Sequence, residues 1–235
     1  FKKIIKRSRE VADINSRGVE YLFKKNKIES LAGYGKLIDS HTISLADKEG
    51  KEIRNISADK IIIASGGRAR AFPGVEFDGK KIITSKEAMT LPEPPKTMII
   101  IGAGAIGVEF AYFYNSFGTR VHLVEMLPHI LPIEDDEIAA QLERSFNKQG
   151  IKLYTNTKVE KIQKSAKGVK VMLSSNGKNS ELEGEITLVA IGVQGNVENL
   201  GVENLGIRVE KTTPPEVGSA HGSIMPFSWA NFLMI

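Results

Sequence analysis

Six residues constrain this chain more than any others: Gly102-Ala-Gly-Ala-Ile-Gly107, set directly between an apolar run and a helix-patterned one. Met98–Ile101 reads as a buried strand and Ala105–Phe117 as a helix, so the glycines fall on a strand–turn–helix junction. The first glycine permits a tight turn. The second lets backbone N–H groups come close to a pyrophosphate, and the third lets the helix pack against the strand. Thr119–Glu125 follows as a second strand, and its last residue, Glu125, stands 18 positions after Gly107. A carboxylate there accepts hydrogen bonds from ribose hydroxyls and repels a 2′-phosphate, which predicts NAD rather than NADP.

The pattern continues in the same style. Asp135–Gln149 reads as a helix whose acidic start suits the helix dipole and whose stop is Gly150, and Ile151–Tyr154 reads as a third strand. The resulting β-α-β-α-β order is one nucleotide-binding half of a doubly wound fold. Residues 157–174 alternate with period two, and Glu185–Ile191 is another buried strand, ending in Gly192. Upstream, Ile4, Ile5, Val11, Ile14, Val19, Leu22 and Phe23 recur at helical spacing, with basic residues between them. Residues 1–27 hold nine Lys/Arg against three Asp/Glu, a charge read as a solvated helix face rather than a nucleic-acid arm. Short strands near 28–38, 41–47 and 51–57 predict an antiparallel meander, and Lys60–Gly67 predicts a fully buried, parallel strand. Pro92, Pro94 and Pro95 mark an expected domain boundary.

Composition excludes several chemistries. The 235 residues contain no cysteine, which removes disulfides, thiolate metal sites and a cysteine nucleophile from this chain. The four histidines, His41, His122, His129 and His221, lack ligand spacing, so no metal site is expected. The acidic cluster Glu134–Glu137 is read as a helix start. No apolar run approaches the roughly 18–20 residues of a membrane span, and no nucleic-acid motif occurs. A cytoplasmic location is the expectation.

Several motifs together carry a family resemblance. Ile99-Ile-Ile-Gly-Ala-Gly-Ala-Ile-Gly-Val-Glu109 resembles the NAD loop of flavin-dependent pyridine nucleotide–disulfide oxidoreductases. Ile61-Ile-Ile-Ala-Ser-Gly-Gly-Arg68 resembles their strand whose tip contacts FAD, with Ser65 in place of the usual Thr. Gly33-Tyr-Gly-Lys36, Asn156-Thr-Lys-Val159 and Val189-Ala-Ile-Gly-Val-Gln-Gly-Asn196 with Asn199-Leu-Gly also match, over residues 1–210. The resemblance is strongest to the branch that oxidises dihydrolipoamide within 2-oxo acid dehydrogenase complexes.

That resemblance implies a fold and a set of residue roles. The fold would be α/β, built of Rossmann-like, doubly wound FAD/NAD(P)-binding domains in three layers, as a partial two-domain flavoprotein. Residues 1–95 would belong to an FAD-binding domain, 96–195 to an NAD-binding domain, and 196–211 to a return segment. Gly102, Ala103, Gly104, Ala105, Ile106, Gly107, Val108 and Glu109 would hold NAD, with Glu125 on the ribose and Val159 and Gly192 flanking its two ends. Gly35, Ser65, Gly66 and Gly67 would touch FAD. Glu109 matches the family carboxylate that pairs with a flavin-side lysine, and is the candidate catalytic residue. Ala105 replaces the tyrosine gate of an NADP-dependent branch.

Departures accompany these matches. The family's CxxxxC disulfide, its first GxGxxG and its dimerisation domain are not in this sequence, and Val193-Gln-Gly195 is a subgroup variant. The resemblance stops after about Lys211, where a truncation or frame change is expected, with residues 212–235 a disordered tail. The expected activity is NAD-dependent oxidation of dihydrolipoamide by an intact homodimer, partnered by a dihydrolipoamide-bearing acyltransferase, this chain alone being inactive. A mercuric reductase-like enzyme and a non-catalytic dinucleotide-binding module are the alternatives.

Overall fold

The computed structural model describes residues 1–209, Ser223–Ile224 and Leu233–Met234. Helix α1 (Lys2–Lys25) opens the chain, and none of its residues is buried. Strands β1 (Tyr34–Leu37), β2 (Thr42–Ala46) and β3 (Glu52–Ser57) follow, then β4 (Ile62–Ile63), β5 (Gly67–Ala69) and β6 (Ile82–Ile83). The short helix α2 (Ser85–Ala88) leads into β7 (Thr97–Ile101), α3 (Ala105–Ser116), β8 (Arg120–Val124), α4 (Asp136–Lys148) and β9 (Lys152–Tyr154). Next come β10 (Lys158–Ser165), β11 (Gly168–Ser175), β12 (Lys178–Gly184), β13 (Ile186–Val189) and β14 (Val193–Gly195). After a 3-10 turn at Val202–Leu205, the described strands end with β15 (Arg208–Val209), β16 (Ser223–Ile224) and β17 (Leu233–Met234).

The chain divides into two compact units, one of Phe1–Asp13 with Ala69–Gly192, the other of Ile14–Arg68 with Val193–Ile235. The first unit has a five-stranded sheet in the order β6-β13-β7-β8-β9. Its pairs are parallel, as the β-α-β-α-β reading of 98–154 requires. Alternate side chains of one strand serve opposite faces. Met98, Ile100, Val121, Leu123 and Leu188 pack with Ala111 and Tyr114 of α3 and Phe146 of α4. Ile99, Ile101, Val124 and Val189 pack instead with Val169, Val171 and Leu173 of β11. The second face is thus covered by the antiparallel sheet β10-β11-β12 rather than by helices, which makes three layers.

Local chemistry sets the helix ends. The Asp135 carboxylate accepts hydrogen bonds from the backbone N–H of Glu137 and Ile138, so the acidic cluster starts α4. Gly150 follows the helix with φ +85°, a conformation glycine adopts without strain. Thr84 and Glu87 cap α2 reciprocally.

The second unit contains the expected meander, β1-β2-β3, antiparallel and beginning at Tyr34. Leu37, Ile61, Ile63 and Val202 form its small core. Here one expectation is corrected. Residues 60–67 do not make one buried parallel strand: Ile62–Ile63 is a short strand paired antiparallel with Leu233–Met234, and Gly67 begins the separate strand β5. Ile62 is 58% exposed, because no parallel neighbour lies beside it among the described residues. The disorder expected for 212–235 lies outside the described residues, apart from the two short strands.

Candidate dinucleotide-binding site

The glycine loop stands at the carboxyl end of β7, the middle strand of the five. That is the edge where open α/β sheets bind ligands. Gly102 turns the chain at φ +97°, and its N–H donates to the Val124 carbonyl at 2.8 Å. A Cβ on Gly102 would lie 2.5 Å from the Ala190 oxygen, and one on Gly107 would strike the Gly102 carbonyl. Both clashes are with backbone, so neither position accepts a larger residue without moving a strand. Gly104 differs, since a Cβ there would meet nothing within 4 Å. It begins α3 with no side-chain cap and no acidic residue in the first turn. The N–H groups and positive dipole end of that helix are therefore left for an anion.

Glu125 reaches back to the loop. Its Oε2 accepts from the Ala103 N–H at 2.7 Å and its Oε1 from the Leu127 N–H at 2.9 Å. Its own N–H donates to Tyr154 O, and its carbonyl accepts from Thr157 N, so the backbone at this point is fixed on both sides. An ionised carboxylate offers about four acceptor positions, and two remain for hydroxyls. Sequence reasoning found Glu125 but missed its bond to Ala103, since spacing says nothing of where a carboxylate turns.

The other NAD candidates lie in the same unit. Val159 on β10 is half-buried, packed in the cluster that holds Val124 and Tyr154. Gly192, at φ +114°, accepts from the Arg70 N–H at 2.9 Å. Glu109 is exposed on α3, and no described residue pairs with it. On β8, three positions before Glu125, His122 Nδ1 is 3.0 Å from the Tyr154 hydroxyl, with the rings stacked. Burial, then the charges of Arg120 and Lys152, push the His122 pKa down. A surface depression of about 440 Å³ beside Thr97, Lys167, Lys170 and Glu183 adjoins the opposite end of β7, away from the loop. Among the described residues, no three His, Asp or Glu side chains gather as a metal site, and no helix is long and apolar enough to cross a membrane.

The flavin candidates belong to the second unit. Gly35 sits on β1 opposite Leu45. Ser65, Gly66 and Gly67 form the tip between β4 and β5, with Gly66 at φ +74°. The Ser65 Oγ is buried and makes no hydrogen bond. Asn196 donates its backbone N–H to Gly66 O and its side-chain amide to Ser65 O, both at 3.0 Å.

A glycine turn at the end of the central parallel strand, facing an uncapped helix start and a braced carboxylate, defines a class: a Rossmann-type dinucleotide-binding protein. Residues 1–217 match the model of the pyridine nucleotide-disulphide oxidoreductases, and the chain belongs to that family. Its members use FAD and NAD(P). The chain is 42% identical to a dihydrolipoyl dehydrogenase of Chlorobaculum tepidum, over 88% of this chain and 44% of that one. It is also 42% identical to a dihydrolipoyl dehydrogenase of Zymomonas mobilis, over 89% and 45%. Among solved structures, LpdA from Mycobacterium tuberculosis superposes with a TM-score of 0.80 at 30% identity, covering 89% of this chain and 46% of its own. The Cu(II) complex of RclA, an HOCl-induced flavoprotein disulfide reductase from Escherichia coli, superposes with a TM-score of 0.78 at 28% identity, covering 89% and 47%. The chain spans somewhat under half the length of the curated relatives it matches.

Proposed function

We propose that this chain carries the NAD side and part of the flavin side of an NAD-dependent dihydrolipoyl dehydrogenase. Residues 1–95 belong to the FAD-binding domain in this reading, 96–195 to the NAD-binding domain and 196–211 to the return segment. The observation that carries it is the Glu125 carboxylate, braced by two N–H groups beside the glycine loop with acceptor capacity to spare.

The residues present fit both cofactors. For NAD, the open space over Gly104 and the uncapped start of α3 suit a pyrophosphate. Ala103, Ala105, Ile106 and Val108 supply the loop and first-turn backbone, and Glu125 takes the ribose and repels a 2′-phosphate. Val159 and Gly192 flank the adenine and nicotinamide ends. For FAD, the orphaned Ser65 hydroxyl calls for a partner, and Gly35, Gly66 and Gly67 add no side chains of their own. The exposed carboxylate of Glu109 stands ready to pair with a lysine on the flavin side. When bound, nicotinamide and flavin supply hydride and electron transfer. The protein's own residues bind and orient them. With no cysteine in the chain, the dithiol step falls to residues outside it. The intact assembly is a cytoplasmic homodimer serving a 2-oxo acid dehydrogenase complex through its dihydrolipoamide-bearing acyltransferase.

Calorimetry of the chain with NAD⁺ and NADP⁺, beside an assay for NADH formation from dihydrolipoamide, tests the reading. NAD⁺ binds, NADP⁺ binds more weakly, and no turnover occurs. Binding of neither dinucleotide would favour an interaction module over a redox protein. Turnover by the chain alone would refute the assignment of the dithiol step.

A further inference from the structure

The second unit holds a side-chain network that the assigned chemistry does not use. The Arg68 guanidinium grips Glu198 with two bonds, Nη1 to Oε2 at 2.8 Å and Nη2 to Oε1 at 2.5 Å. The same Nη1 also donates to Asn196 Oδ1 at 2.9 Å. With its amide oxygen turned inward, Gln194 accepts from Arg68 Nε at 3.1 Å. Asn196, so held, donates to the carbonyls of Ser65 and Gly66. Behind the tip there is no slack, since a Cβ on Gly67 would stand 3.3 Å from the Gln194 carbonyl.

Each link has a direction. Glu198 fixes Arg68, Arg68 fixes the side chain of Asn196, and Asn196 takes the tip's carbonyl oxygens on one side. Beside those engaged carbonyls, the Ser65 hydroxyl is buried and makes no hydrogen bond. An isolated, half-exposed ion pair contributes little to stability. A bidentate pair whose donor also anchors a second residue has a geometric role as well, because the planar fork fixes orientation. The arginine holds the Glu198 carboxyl down at about 2, so the pair stays charged over the working pH range.

We propose that Arg68, Asn196 and Glu198 form a latch of positioning residues that presents the Ser65–Gly67 tip, and the Ser65 hydroxyl with it, to the flavin dinucleotide. The latch spans two segments some 130 positions apart, 65–68 and 194–198. It also makes Gln194, within the subgroup sequence Val193-Gln-Gly195, a partner of Arg68. The proposal rests on the flavin assignment above.

The test uses the full chain and two readouts. Amide hydrogen exchange follows residues 64–68, and quenching of flavin fluorescence gives FAD affinity, with NAD⁺ calorimetry as the control for folding of the other unit. Arg68→Gln and Glu198→Gln should each raise exchange at 64–68 and weaken FAD binding on the order of tenfold, leaving NAD⁺ affinity unchanged. Arg68→Lys, which keeps charge but not the fork, should recover only part of that loss. Swapping the pair, Arg68→Glu with Glu198→Arg, should recover more than either single change. If wild type binds FAD and both Gln variants match it in affinity and exchange, the latch is refuted and the flavin assignment stands. If wild type binds NAD⁺ but not FAD, the flavin assignment fails and the proposal falls with it.

Discussion

Replacing Glu125 with Ala should loosen the glycine loop before any ligand is added. Ala103 is fully buried, and Glu125 Oε2 is the acceptor for its N–H. Leu127, by contrast, is 42% exposed, so water can replace Oε1 on its N–H. A buried donor left unpaired costs about 1–3 kcal/mol, whereas the exposed one costs well under ~1. The expected loss is therefore about 2 kcal/mol, a fall of roughly 4–8 °C in melting temperature for a chain of this size. Glu125→Gln separates the two contributions. Its single amide oxygen turns to Ala103, its NH₂ faces Leu127, and the loss drops to about half. The same substitution removes the negative charge, so preference for NAD⁺ over NADP⁺ should narrow on the order of tenfold, equivalent to ~1.4 kcal/mol. Scanning calorimetry of the three proteins, followed by titration with both dinucleotides, reads each effect separately. A Glu125→Ala protein that melts with wild type would show that the bond to Ala103 holds nothing, and the bracing role would be wrong.

Gly107→Ala places a methyl group against the Gly102 carbonyl and should cost about 1–3 kcal/mol and abolish NAD⁺ binding; unchanged affinity by calorimetry would exclude the close helix–strand approach. The buried Tyr114 hydroxyl donates to Ala88 O at 2.5 Å, so Tyr114→Phe strands that carbonyl and should lower stability by about 1 kcal/mol in urea unfolding. Burial pushes the Asp78 carboxyl up, but the N–H groups of Ile82, Lys80 and Lys81, with Lys164, outweigh it and hold the pKa well below the ordinary range. Its stabilisation is whole above the unfolded value of 3.8 and fades as pH falls below it, so Asp78→Asn should flatten the acid limb of the stability curve. His122 should titrate below 6.5 by NMR. Because its folded pKa is depressed, protonation opposes folding, and stability rises with pH through that region.

The dinucleotide loop was legible because it is local. Six consecutive residues carry the turn, the close approach and the helix start, and at Gly102 and Gly107 a Cβ would strike backbone. Helix α1 was legible in kind but not in burial. The stripe of Ile4, Val11, Ile14, Val19 and Leu22 has the period of a packed helix, yet all five are exposed. Periodicity reports what a face could bury, and packing depends on what lies beside it. The run Ile61–Ile63 misled for the same reason. An apolar strand reads as central until its neighbours are counted, and here its partner is a two-residue antiparallel strand. The bonds of Arg68 and Asn196 were not legible at all, since they join residues about 130 apart and no short motif records such a pairing.

Both units solve one physical problem in the same way. A backbone tip meant to touch a cofactor must be bare, and a bare glycine tip loses more conformational entropy on ordering than any other sequence. Something must therefore hold it from the side the cofactor does not occupy. At Gly102–Gly107 the holder is an anion, Glu125, pulling on a backbone N–H. At Ser65–Gly67 it is an amide, Asn196, taking two backbone carbonyls and fixed in turn by Arg68. The choice of polarity follows from what each tip has left to offer. Engaging one N–H with a carboxylate leaves the other helix-start N–H groups for a pyrophosphate and brings acceptors for hydroxyls. Engaging the Ser65 and Gly66 carbonyls with Asn196 takes two acceptors out of the tip, while the Ser65 hydroxyl stays buried and unpartnered. In the proposed reading each brace also bears on ligand chemistry: the first leaves helix-start N–H groups for a phosphate with a ribose acceptor close by, and the second keeps the tip's two carbonyls turned to Asn196.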